Sequence, residues 1–112
     1  MAKTRGRPSI KREKRVDQTV YLSGKRRGAI LKEEVWYERG RVAKYSLAYI
    51  DPRIYAADNG RVLGYDNTHD YRHRHFVGKV EIVEFHGYEA LVTRFEAELY
   101  ELWRTGNEQD DE

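Results

Sequence analysis

Cysteine is absent from this sequence. That excludes disulfides and thiolate metal sites, and it fits a reducing compartment, so a cytoplasmic location is expected. No apolar run approaches the ~18 residues a membrane-spanning helix needs. The basic N-terminus also has no apolar segment of the kind a secretory leader carries. Proline occurs only twice, and the hydrophobic share is a modest 39%. With 112 residues there is room for one small domain, whose core can be moderate but not large.

A formal charge of +2 conceals a segregation of signs. Residues 1–27 hold ten Lys/Arg against Glu13 and Asp17, whereas residues 28–112 hold eleven against seventeen acids. The basic end suits a polyanion or an acidic protein surface, and the remainder is mildly acidic. Residues 1–16 show no apolar period and are expected to form a disordered basic arm. Within it Arg5-Gly6-Arg7-Pro8 is similar to the core of an AT-hook, whose guanidinium groups enter a narrow minor groove on a thin extended backbone. Arg5, Arg7, Lys11, Arg12, Lys14 and Arg15 are the candidate nucleic-acid contacts of the arm. The bland alternative is a solvated basic leader.

Residues 17–105 read as a single α+β domain. Gln18–Leu22 alternates weakly, as a short first strand would. Residues 29–37 and 42–50 alternate more clearly, with the odd positions more apolar, and Glu38-Arg39-Gly40-Arg41 has the length and glycine of a hairpin loop. Ile54–Ala57 and Arg61–Tyr65 suggest a second hairpin turned at Asp58-Asn59-Gly60, and Lys79–Phe85 a last strand. From Tyr88 to Arg104 the apolar residues fall on one helical face, with Thr105-Gly106 as the stop. The predicted fold is an antiparallel sheet of four to six strands packed by one long C-terminal helix. Residues 106–112 read as an acidic tail.

One stretch resists a core role. Gly64–His75 holds three of the four histidines with two arginines, two tyrosines and two aspartates. Such side chains seek polar partners or water, so the stretch reads as a polar loop held at both ends by the sheet. Three uses compete. Imidazoles near neutral pKa could move the protons of RNA cleavage while guanidinium steadies the phosphate. His73 and His75 would then face one way and Arg72 and Arg74 the other. Asp66 could orient an imidazole, His69 or Tyr71 could complete the set, and Tyr65 and Tyr71 could stack bases. Alternatively, His73 and His75 with His69 or Asp66 offer a zinc-like ligand set, which the two arginines oppose. Otherwise the cluster is a turn whose charges satisfy one another. His86 reads as a helix-start turn residue, and Lys44 gains interest only if its wet sheet face carries the substrate.

The order of these segments resembles a known family. The stretch ILKEEVWYERGRVAKYSLAYI precedes NGRVLGYDNTHDYRHRHFVGK, which is followed by an apolar strand and a long helix. This arrangement is similar to that of the TumE family of toxin–antitoxin toxins. Gly64, Tyr65, Asp66, Asn67, His69, His73, Arg74 and His75 match its GYDN…H…HRH segment. The basic arm departs from the pattern, since such proteins usually begin near the first long strand. The resemblance implies a growth-inhibiting protein of a prokaryote, neutralised by a helix-turn-helix antitoxin and acting on RNA as a nuclease. Residues and resemblance together make His73, His75, Arg74, Asp66 and His69 the catalytic candidates. Tyr65, Tyr71, Arg72, Lys44 and Asn67 are the substrate-binding candidates, and neither a metal nor another cofactor is expected. A non-catalytic protein that grips nucleic acid, DNA included, through its basic arm is the alternative.

Overall fold

The two clearest alternating segments form the middle of the sheet, joined through Arg39 and Gly40 at φ 53° and 77°, the backbone twist that favours tight hairpins. A computed structural model describes residues 11–110, with side chains as far as Gly106. Its strands are β1 (Glu13–Tyr21), β2 (Ile30–Glu38), β3 (Arg41–Ile50), β4 (Arg61–Asp66), β5 (His73–Phe76) and β6 (Lys79–Ile82), followed by helix α1 (Tyr88–Asp110). They make one six-stranded sheet in chain order, every neighbouring pair antiparallel. The fold is α+β, a single antiparallel sheet with one C-terminal helix on one face. Among the described residues no helix is long and apolar enough to cross a membrane.

Alternation divides the sheet into two faces. Tyr45, Leu47, Tyr49, Leu63 and Tyr65 are buried toward α1, which contributes Leu91, Phe95 and Leu99. Much of this core is aromatic. Tyr45 stacks on Phe85, Tyr65 meets Phe95 edge-on, and Tyr49 does the same with Trp103. A buried phenol needs a partner for its hydroxyl, and Tyr65 and Tyr88 donate to Glu98 and Glu33. Among the described residues no helix lies on the opposite face.

Four boundaries differ from the sequence pattern. β1 begins at Glu13 rather than Gln18, so the end of the expected arm is sheet. Cross-strand partners explain this: Lys14 pairs with Glu34 at 2.6 Å and lies over the Trp36 ring, and Arg12 pairs with Glu38. Ile54–Ala57 is not a strand, because Ile54 and Tyr55 both donate backbone hydrogen bonds to the Asp51 carbonyl and close a turn after Pro52. β6 stops at Ile82 instead of Phe85, where β5 has no further residues to pair with it. The helix passes through Thr105-Gly106 to Asp110. There Thr105 bonds back to the Glu101 carbonyl, and Gly106 does not take the left-handed conformation that would stop the helix.

Two local devices hold the middle of the sheet. Tyr49 opposes Leu63 and Ile50 opposes Arg61, so Val62 is an extra residue that turns the following register by one position. Beyond the end of β4, Asn67 continues the ladder with its side chain. Its amide oxygen accepts from the Tyr45 N–H at 3.0 Å and its nitrogen donates to the Ala43 carbonyl at 2.9 Å. Asn67→Ala leaves both backbone groups without those partners and should cost about 1–3 kcal/mol. Urea unfolding will register this as a lower midpoint at unchanged slope; an unchanged midpoint would show that water replaces the amide.

Candidate functional site

The histidine segment is a hairpin rather than a loop. Gly64, Tyr65 and Asp66 lie in β4, and His73, Arg74 and His75 pair with them across β5. Between the strands Thr68–Asp70 forms a single tight turn, with His69 and Asp70 at φ 61° and 67°. The register puts Asp66 beside His73 and Gly64 beside His75, all on the face away from α1.

Asp66 is the hub. One carboxylate oxygen accepts from the Thr68 N–H at 3.0 Å, and His73 Nδ1 lies 3.7 Å from that same oxygen. The other oxygen meets Arg61 at 3.2 Å and His75 Nε2 at 2.8 Å. Burial acts to raise the Asp66 pKa, yet the Thr68 N–H and hydroxyl, then His75 and Arg61, outweigh it and hold the carboxyl below its ordinary range. The two imidazole rings are 5.9 Å apart.

Arg61 was not singled out by sequence pattern, and it organises the cluster. The bulge at Val62 turns its side chain to the open face. Its guanidinium reaches Asp58, Asp66 and, at 3.1 Å, His75 Nδ1. The arginine stem lies over Gly64, where an added Cβ would stand 2.7 Å from Arg61 Cδ and 3.0 Å from the Leu47 carbonyl oxygen. Gly64 is therefore the slot through which Arg61 reaches the histidines. That glycine three residues after an arginine was the available signal, but the bulge that aligns them is not written in the residue pattern.

The guanidinium also sets the chemistry of His75. Arginine only donates hydrogen bonds, so His75 Nδ1 must accept and the ring hydrogen must lie on Nε2, facing Asp66. Burial and then Arg61 lower the His75 pKa from its ordinary 6.5, and the ring is neutral at pH 7. The Nε2–H is buried and points off the line to the carboxylate, so it forms a close contact without a good hydrogen bond. Both His75 nitrogens thus face protein groups. His73 is different, since only its Nδ1 faces Asp66.

One donor atom each from Asp66, His73 and His75 lie within 4.8 Å of one another, close enough to share a cation. Loading a metal on His75 Nε2 would move the ring hydrogen to Nδ1, against the N–H of Arg61. Arg61 therefore opposes metal ligation through His75 Nε2.

The remaining candidates separate. Tyr71 is 58% exposed, and its ring lies 6.0 Å from that of His73. Lys44 is on the same open face, over the Trp36 ring. Tyr65 is 0% exposed and cannot stack a base, and burial, then Glu98, pushes its pKa up to about 12. Arg74 turns to the helix side, paired with Glu98 and Glu81, and Arg72 lies over Phe85. The cation beside the histidines is therefore Arg61, not Arg72 or Arg74, because alternation sends neighbouring residues to opposite faces. Asn67 has both amide atoms engaged with β3. Among the described residues His69 makes no hydrogen bond, ion pair or ring contact. Of the arm cations, Arg5 and Arg7 lie outside the described residues. Arg12, Lys14 and Arg15 pair with acids of β1 and β2, while Lys11 is exposed.

These shifts carry a signed pH dependence. The unfolded chain takes up a proton on His75 near pH 6.5, and the folded chain does so only lower. Stability from this group is thus full above pH 6.5 and is lost as pH falls through the folded pKa. Imidazole NMR should show His75 titrating below 6.5, and Arg61→Gln should move it upward. A wild-type His75 titrating at or above its ordinary value would contradict the neutral-ring assignment.

Comparison with known families matches residues 7–103 to the family described as Toxin TumE, so the match takes in β1 and the end of the basic arm. Neither the curated proteins nor the solved structures give a match. Spanning most of the sequence, that match shows that the chain belongs to the TumE toxin family, whose members are toxins that imply an antitoxin partner.

Proposed function

We propose that this toxin is a metal-independent ribonuclease acting on cytoplasmic RNA, restrained by a helix-turn-helix antitoxin. The observation that supports it is the pairing of His73 and His75 with the single carboxylate of Asp66, beside the Arg61 guanidinium, on a sheet face that no helix covers. His73 is the proton-transfer group. Asp66 faces its Nδ1 at 3.7 Å and favours the tautomer with the hydrogen there, which leaves Nε2 to take the proton of a 2′-hydroxyl. The 2′-oxygen attacks phosphorus as the bond to the 5′-oxygen breaks, giving a 2′,3′-cyclic phosphate. The proton returns from the imidazolium through water to the departing 5′-oxygen, so no charge is left over. Arg61 faces the phosphate oxygens as negative charge gathers there.

In this reading His75 is a positioning residue. It is neutral at working pH and, with Arg61, fixes Asp66, so the acid–base pair suggested by sequence reduces to one proton-transfer imidazole and one support. Tyr71 offers the exposed ring beside His73 for a neighbouring base.

His73→Ala should lower RNA cleavage by about 10²–10⁴-fold and abolish growth arrest on expression. His75→Gln should reduce the rate less and shift the acidic limb of the pH–rate profile, a readout that loss of folding alone would not move. A chelator should leave the rate unchanged. Full cleavage by His73→Ala would sink the assignment of the base, and loss of cleavage with chelator would sink the metal-free route.

A further inference from the structure

The open face extends beyond the histidines. Reading the register across it, Asp17, Glu34, Ser46, Asp66, His73 and Ile82 form one cross-strand row. The adjacent row contains Lys14, Trp36 and Lys44. Strand spacing places Lys44 about 12 Å from His73 between backbones, a gap of which an extended lysine side chain covers part and one phosphate-to-phosphate step of the RNA the rest. Trp36 lies one strand further.

The Trp36 ring is flanked by two ammonium groups, Lys14 at 5.0 Å from one neighbouring strand and Lys44 at 4.7 Å from the other. Lys14 is tied down by Glu34 and Asp17. Among the described residues Lys44 pairs with no carboxylate, and a cation–ring contact is a weaker tie than an ion pair to an acid would be. The acids of these two rows are already answered: Lys14 reaches both Glu34 and Asp17, which opposes Glu34 on β1, and Arg61 reaches Asp66. What the face offers an incoming chain is therefore a half-buried indole, one cation without an acidic partner among the described residues and, at the far end, an exposed tyrosine beside His73. Flat rings set among cations suit bases whose faces are free, and a duplex keeps those faces stacked inside.

We propose that Trp36 and Lys44 form a subsite for single-stranded RNA on the open sheet face. The strand crosses β3, Lys44 takes a phosphate next to the one at Arg61 and His73, and a base stacks on Trp36. This inference rests on the ribonuclease reading for the position of the scissile bond, but the binding it describes is measurable without cleavage.

The test uses the full chain with His73→Ala as a non-cleaving background and a fluorescently labelled single-stranded oligoribonucleotide of mixed sequence, free or annealed to its complement. The single strand should bind and the duplex bind more weakly. Trp36→Ala should weaken binding by about 5- to 100-fold, and Trp36→Phe should restore much of it. Lys44→Ala should reduce the slope of log K against log salt by about 0.7. Equal affinity for the duplex, no binding of the single strand, or unchanged affinity in both Trp36→Ala and Lys44→Ala would overturn the proposal. Cleavage by the active chain separates the two readings. Trp36-dependent binding by a protein that cuts no RNA keeps the subsite and removes the nuclease. Cleavage whose KM is indifferent to Trp36→Ala and Lys44→Ala does the reverse.

Discussion

An ionised carboxylate that is almost wholly buried must be compensated on every side or not be ionised at all. Asp66 meets that demand with Thr68, Arg61, His73 and His75, and much of the local architecture follows. The bulge at Val62 turns Arg61 to the correct face, Gly64 makes room for its stem, and the tight turn at Thr68 brings a backbone donor back to the carboxylate. Each feature looks incidental alone. Together they fix one carboxylate, and Nδ1 of the imidazole that stays free lies 3.7 Å from it.

The two faces of the sheet solve different problems. Toward α1 the domain builds its core from tyrosines, and the phenols are answered by glutamates, with Arg74 bridging Glu98 and Glu81. This half stabilises the fold and uses up charges that the sequence offers as catalytic. On the other side no helix covers the strands, so polar groups can be presented at fixed spacing on a rigid sheet. A hairpin supplies such precision better than a mobile loop, because each histidine is held by ladder bonds to its neighbour.

Single residues illustrate where pattern reading succeeds and where it stops. Alternation in residues 29–50 and the helical period after Tyr88 were legible because they record burial, which depends on nearby residues only. His73 and His75 on a common face, opposite Arg72 and Arg74, follows from the same period of two. Tyr65 misleads, since a tyrosine in a polar stretch suggests an exposed ring, and only the docking of Phe95 and Glu98 from a helix far along the chain buries it. The start of β1 was hidden for a similar reason. Its residues are nearly all polar, and cross-strand ion pairs with Glu34 and Glu38 bring them into the sheet.

From its residues alone this chain determines its class, the helix face that docks and the pair of histidines that share a side, because local periodicity carries all of these. Tertiary structure decides which cation stands beside those histidines, which of the two keeps a free nitrogen, and which tyrosine is reachable. Those outcomes depend on a one-residue bulge and on contacts between segments distant in sequence, and no local pattern encodes either.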